Sequence, residues 1–133
     1  INGRTWMAEN LNYKTDLSLC FDDLEENCAK YGRLYTYEDA VRVCPDGWHL
    51  PGIEEFLEVY DMVDELETYG FDPLPAGMYS YDFGQYISDE MSWWFDYQAA
   101  GADYGIVLVI DGGEFPYRDE YVGNAHSVRC VKD

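Results

Sequence analysis

The chain has 133 residues, 47% of them apolar and 17% aromatic, and carries a formal net charge of −19. That length suits one domain with a real hydrophobic core, and the aromatic content excludes a disordered segment. The charge would repel nucleic-acid phosphates and anionic lipid, so neither is expected as a partner.

In chain order, Arg4-Thr-Trp-Met7 reads as a strand running into an irregular Asn/Tyr segment, and Cys20 to Cys28 as a loop with Asp22, Asp23, Glu25 and Glu26 facing water. Thr36 followed by Asp39 resembles a capping box and predicts a short helix through Val43 that buries Ala40 and Val41. Pro45-Asp-Gly47 ends it. Trp48-His-Leu50 alternates as a strand, with Trp48 and Leu50 on one face and His49 on the other. Pro51 stands at the next helix entrance, where its missing N–H costs nothing. That helix carries Ile53, Phe56, Leu57, Tyr60, Val63 and Leu66 at i, i+3, i+4, i+7 spacing, with Glu54, Glu55, Glu58, Asp61, Asp64 and Glu65 on the other side. Those acids have no lysine partners, so the helix is expected to rest on packing.

After Gly70 come five short β-like pieces: Leu74 to Tyr79, Tyr86 to Ser88, Trp93 to Tyr97, Gly105 to Ile110 and Ser127 to Lys132. Asp111-Gly112-Gly113 signals a hairpin between Ile110 and Phe115. Helices first and strands later favour an α+β domain spanning residues 1–133. The longest apolar run, Gly105 to Ile110, falls far short of the ~20 residues that a membrane helix needs. No signal peptide or lipid-attachment cysteine is visible, and the abrupt start at Ile1 reads as a processed or partial product.

Four cysteines, Cys20, Cys28, Cys44 and Cys130, permit three pairings. There is no Cys-x-x-Cys, and only His49 and His126 could add nitrogen, so zinc is a poor fit. Disulfides fit better and imply an oxidising compartment. Cys20 is paired with Cys28, closing a small acidic loop, and Cys44 with Cys130, tying the first half to the last strand. On the chain-entropy account the long loop contributes ~4 to 5 kcal/mol and the short one ~2.5 kcal/mol.

Trp6-Met-Ala-Glu-Asn-Leu-Asn-Tyr13, Cys28-Ala-Lys-Tyr-Gly-Arg-Leu-Tyr35, Cys44-Pro-Asp-Gly-Trp-His-Leu-Pro51, Leu74-Pro-Ala-Gly77 and Ser127-Val-Arg-Cys-Val-Lys-Asp133 occur in that order over nearly the whole chain. Together they resemble the Fibrobacter succinogenes major paralogous domain, a family of exported bacterial proteins that are often lipoproteins. The resemblance implies a C-type-lectin-like fold: two helices on a twisted antiparallel sheet, termini close together, and a helix-to-last-strand disulfide where Cys44 and Cys130 fall. The family's upstream strand is reduced to Ile1 to Thr5. Its Phe-Trp-Ser-Ser-Thr stretch becomes Trp93-Trp-Phe-Asp-Tyr97. The related formylglycine-generating enzymes work through a late cysteine, which a bridged Cys130 could not supply.

His49 and His126 come with no nucleophile motif, so no catalytic residue is assigned and His49 reads as a strand residue pointing outward to a polar neighbour. No lysine or arginine lies between Arg42 and Arg118, and this acidic middle holds most of the rings. Sugars present flat C–H faces and many hydroxyls, which aromatics and carboxylates complement. Tyr79, Tyr81, Asp82, Trp94, Asp96, Tyr97, Tyr104 and Tyr117 are therefore the candidate ligand-binding residues, supported in the same region by the rings of Trp93, Phe95 and Tyr86 and the polar side chains of Gln85, Gln98 and Asp103. Trp93, Phe95 and Tyr97 share one strand face and Trp94 and Asp96 the other, so one face must be core. No cofactor is required. Calcium is the one ion that would suit the charge, at Asp22/Asp23 or Asp111/Glu114, without EF-hand spacing. With the family resemblance, which is what implies a bacterial surface and puts polysaccharide first, the expectation is a non-catalytic adhesion or recognition domain on the outside of a bacterium, binding carbohydrate or a surface polymer. The alternative is a self-associating appendage or layer subunit.

Overall fold

A computed structural model of the chain describes residues 3–62, 75–88, 90–98, 103–110 and 117–133. It is α+β, with antiparallel sheets and two disulfides. The helices are α1 (Glu25–Tyr31), α2 (Tyr37–Val43) and α3 (Ile53–Tyr60), with a 3₁₀ turn at Phe21–Asp23. The strands are β1 (Trp48–His49), β2 (Met78–Ser80), β3 (Gln85–Ile87), β4 (Ser92–Gln98), β5 (Tyr104–Val109), β6 (Tyr117–Tyr121) and β7 (Val131–Lys132). β4, β5 and β6 form one antiparallel sheet in that order, β2 pairs with β3, and β1 pairs with β7. The β5–β6 pairing agrees with the expected hairpin; Asp111, Gly112 and Gly113 themselves lie outside the described residues, as do Val63, Leu66 and Leu74.

The central sheet is covered on both faces. Trp94, Val107 and Val109 pack with Tyr37, Ala40 and Val43 of α2, while Trp93, Phe95, Ile106 and Leu108 pack with Phe56 and Val59 of α3. Core is thus found on both faces of β4, since Trp93, Trp94 and Phe95 are all buried, and this corrects the placing of Trp94 among the ligand-binding residues. A continuous apolar run on β5 is what a doubly covered strand requires.

Several local expectations shift for identifiable reasons. Trp6 makes an isolated bridge to Val131 instead of a regular strand. The Cys20–Cys28 loop turns into the 3₁₀ turn and the start of α1, so the described residues hold three helices and not two. Thr36 makes no side-chain cap, and the Asp39 carboxylate accepts from Thr15 Oγ1 at 2.6 Å rather than turning back to the N-cap. Tyr37, Ala40 and Val43 are buried in α2, leaving Val41 exposed. Gly52 is the N-cap of α3, so Pro51 precedes the helix, and its carbonyl accepts from Asp96 N. In α3 the buried side chains are Glu55, Phe56 and Val59, whereas Ile53 and Leu57 are exposed. The helix is rotated toward Phe95, whose ring meets Phe56 edge-on with centroids 4.9 Å apart. The acids of α3 do find a cation: Arg4 Nε donates to Glu58 at 2.7 Å.

The segment from Ala125 to Val131 is buried at every residue and joins several of these elements. Ala125 exchanges backbone hydrogen bonds with Tyr79, and His126 with Tyr35. Ser127 O accepts from Trp94 N, Val128 O from Leu11 N and Cys130 O from Met7 N. Val131 pairs with His49 and Trp6, and the Cys44–Cys130 disulfide closes an 86-residue separation onto the same segment. Two of its polar side chains, Ser127 and Arg129, converge on buried Asn10. That side chain's Oδ1 accepts from both Trp93 Nε1 and Arg129 Nε at 2.8 Å, while its Nδ2 donates to Tyr31 O and Ser127 Oγ. Gly32 lies against this residue with φ +84, and a Cβ there would sit 2.7 Å from Asn10 Cβ.

Asn10→Ala removes the acceptor that Trp93 and Arg129 share, leaving a buried guanidinium one hydrogen bond short. Urea denaturation should show a loss of about 3 kcal/mol, and Asn10→Asp, which keeps the oxygen, should lose less.

Candidate functional site

The sequence-selected residues do not form one patch. Trp94 has 0% exposure, and its Nε1 donates to Tyr35 O at 2.6 Å, so it is core and meets no ligand from outside. Tyr117 leans on α3, with its ring 5.7 Å from Phe56 and 5.8 Å from Tyr60. Asp96 is exposed at the end of β4, accepting from Tyr37 OH at 3.2 Å, and Tyr97 stands beside it in sequence. Tyr104 is the cross-strand partner of Tyr121, whose ring is 5.7 Å from that of Tyr81. Tyr81 and Asp82 are exposed in the β2–β3 turn, where Tyr81 N donates to Asn124 Oδ1.

Tyr79 belongs to the arrangement that can hold a ligand. It is the direct partner of Tyr86 across the β2–β3 hairpin, and the two rings meet edge-to-face with centroids 4.9 Å apart. Opposite them stands the loop closed by the Cys20–Cys28 disulfide. Together they enclose an open cleft of about 560 Å³ lined by Leu19, Asp22, Asp23, Tyr79, Gly84, Gln85 and Tyr86. Tyr86 OH donates to Asp23 Oδ1 at 2.6 Å, joining the two walls. Burial, then the hydrogen bond to Asp23, pushes the Tyr86 phenol up, so it stays an O–H donor. Phe21, in the same loop, packs 5.2 Å from the Tyr86 ring. It also sits over Gly77, whose φ is +77 and where a Cβ would lie 2.5 Å from Phe21 Cε2. Asp22 and Asp23 hold left-handed backbone, φ 56 and 59, which aspartate tolerates better than most residues. Tyr79, Tyr86, Gln85 and the Asp22/Asp23 pair were separate candidates in the sequence; the structure brings them together. Among the described residues no three His, Cys, Asp or Glu gather as a metal site, and Asp111 and Glu114 lie outside those residues.

A second groove, of about 470 Å³, lies between α2 and the sheet ends and is lined by Leu17, Tyr37, Val41, Gln98, Tyr121 and Val122 among others. None of its lining residues carries a basic side chain.

Two histidines have partners that the sequence did not disclose. His126 is fully buried, with Nδ1 2.6 Å from Ser92 Oγ and Nε2 3.0 Å from Glu120 Oε1. The residue types are those of a hydrolase triad, but the wiring is not, since in such triads the acid holds Nδ1 and the serine faces Nε2. Ser92 and Glu120 are buried as well. Burial pushes the Glu120 carboxyl up, but His126 at 3.0 Å and hydrogen bonds from Arg118 and Asn124 outweigh it and hold the pKa at about 2. All four cysteines are in disulfides. His49 lies on β1 between two carboxylates, with Nε2 2.6 Å from Glu55 Oε1 and Nδ1 2.7 Å from Asp133 Oδ1.

Residues 1–67 match the family model of the Fibrobacter succinogenes major domain, about half of the 133 residues, and the chain belongs to that family. The matched span holds the Trp6–Tyr13, Cys28–Tyr35 and Cys44–Pro51 segments; Leu74–Gly77 and Ser127–Asp133 lie beyond it. No curated protein and no solved structure matches the chain.

The hydrogen bonds to Glu55 and Asp133 raise the His49 pKa above 6.5. The Glu55 carboxyl, pushed up by burial, is brought below its ordinary 4.5 chiefly by the His49 hydrogen bond. A raised histidine stabilises the fold in full below 6.5 and loses that contribution as pH rises through the folded value; the depressed glutamate loses its own as pH falls below 4.5. His49→Gln should therefore lower Tm most near pH ~5.5 and progressively less toward pH ~9. With the imidazole 41% exposed, screening keeps the whole effect under about 1 kcal/mol. Thermal melts of the two proteins across that range check it.

Proposed function

We propose that this Fibrobacter succinogenes major domain is a non-catalytic recognition or adhesion domain with a C-type-lectin-like fold. On this reading it works on the outer surface of a bacterium and binds carbohydrate or a surface polymer. The observation that carries the proposal is the open cleft in which Tyr79 and Tyr86 stand beside Asp22, Asp23 and Gln85. Flat rings take the C–H faces of a pyranose, and carboxylates and an amide take its hydroxyls. The position of the helices against the sheet and the Cys44–Cys130 bridge support the fold assignment. The disulfides suit export, and among the described residues no helix is long and apolar enough to cross a membrane. The buried, inverted arrangement of Ser92, His126 and Glu120 supports a non-catalytic role, since a substrate has no path to the serine.

Self-association is the second reading, and two features favour it: Phe83 is 76% exposed at the β2–β3 turn, and the α2 groove includes Leu17 and Val41, both also exposed. Apolar residues that are exposed side by side, as Leu17 and Val41 are in this groove, suit protein contacts better than single ones do.

A glycan array and an insoluble-cellulose pull-down test the lead reading. Retention should fall at least about tenfold in Tyr86→Ala, as expected for losing a stacked ring, with the melting curve of the variant confirming its fold. Flat results on both supports, with wild type eluting as a concentration-dependent oligomer, would transfer the weight to self-association.

A further inference from the structure

We infer that the ligand of the Tyr79–Tyr86 cleft is an amine-bearing glycan, whose ammonium group sits against the two rings and the Asp22–Asp23 carboxylates. This rests on the glycan reading above and narrows it to one chemical class.

The first observation is the ring geometry. Tyr79 and Tyr86 meet edge-to-face at 4.9 Å, and Phe21 approaches Tyr86 at 5.2 Å with its plane tilted by 57°. Steeply inclined rings present negative faces in more than one direction, which is how aromatic sites attract an organic ammonium group. Tyr86 OH donates to Asp23, which draws electron density toward the ring and leaves the rest of that carboxylate able to accept another donor.

The second observation is charge. The sequence has no lysine or arginine from residue 43 to residue 117. Among the described residues, Arg4, Arg33, Arg42 and Arg118 form ion pairs with glutamates, and no ion pair reaches Asp22 or Asp23. Among the described residues, the cleft therefore combines aromatic surface with carboxylates that no ion pair reaches.

A neutral glucose unit would use the rings and leave these carboxylates only hydroxyl partners. A lysine side chain would use the charge and leave one ring surface without a flat partner. A glucosamine unit has a flat face and, on the same ring, an ammonium group, so it engages both halves.

Isothermal titration near pH ~6, where the sugar amine is protonated, tests this with three β-1,4-linked tetramers: glucosamine, N-acetylglucosamine and glucose. The glucosamine tetramer should bind at least about tenfold more tightly than the other two, and the gap should shrink at ~0.5 M salt. Asp23→Asn should lower its affinity roughly fivefold and Tyr86→Ala more, with Asp22→Asn as the substitute if Asp23→Asn melts early. Asp61→Asn, an exposed acid on the C-terminal side of α3, should change nothing; an equal loss there would reduce the effect to non-specific attraction and overturn the proposal. Equal affinity for all three tetramers overturns the amine class while leaving glycan recognition intact. Binding of tetralysine with none of the tetramers overturns both.

Discussion

The fold depends on one buried extended segment, Ala125 to Val131. Its backbone is shared among parts of the chain that would otherwise have no common neighbour: Tyr79 of the hairpin, Tyr35 ahead of α2, Trp94 of β4, Leu11 and Met7 of the N-terminal segment, and His49 of β1. A buried peptide group without a partner is costly, so each of these segments is bound to its register by the need to satisfy this one. The Cys44–Cys130 disulfide then fixes α2's end to the same segment covalently. The side chains follow suit. Arg129, His126 and Ser127 are polar and buried, and each is met by a specific partner: Asn10 for Arg129, Ser92 and Glu120 for His126, Asn10 again for Ser127.

This arrangement accounts for both what was legible in the sequence and what was not. The strand character of Trp93 to Tyr97 and Gly105 to Ile110 follows from local composition, and both disulfide pairings hold. The burial of Trp94 does not follow, because alternation along a strand says which residues share a face and nothing about whether a second layer covers it. Here α2 covers one face and α3 the other. Glu55 illustrates the same limit. On a helical wheel it belongs with the solvated acids, yet it is buried because His49 lies opposite it. Helix α1 was hidden for a different reason: Glu25 to Tyr31 has no apolar stripe, and only Cys28 is buried, held by its bridge to Cys20. Of the cleft, the Tyr79–Tyr86 pairing is readable in retrospect from the turn between them, whereas the approach of Phe21, Asp22 and Asp23 spans some sixty residues of sequence and leaves no local trace.

Because the sheet is enclosed on both faces, its interior offers no place for a ligand, and recognition is displaced to the hairpin and the small disulfide loop at the margin. Both walls of that cleft are firm. Tyr79 exchanges two backbone hydrogen bonds of 3.0 Å with Ala125, the first residue of the buried segment, so the aromatic wall is an extension of the core. The opposite wall is closed by the Cys20–Cys28 bridge, and Phe21 is seated on Gly77 where any side chain would displace it. The Tyr86–Asp23 hydrogen bond then holds one wall to the other. A tyrosine ring fixed in this way has little rotamer freedom left to lose on binding, and ordering costs are what usually separate a large contact area from a tight complex. The cleft thus derives its preorganisation from the same segment that orders the rest of the domain, and loosening that segment should blunt recognition even where no cleft residue has changed.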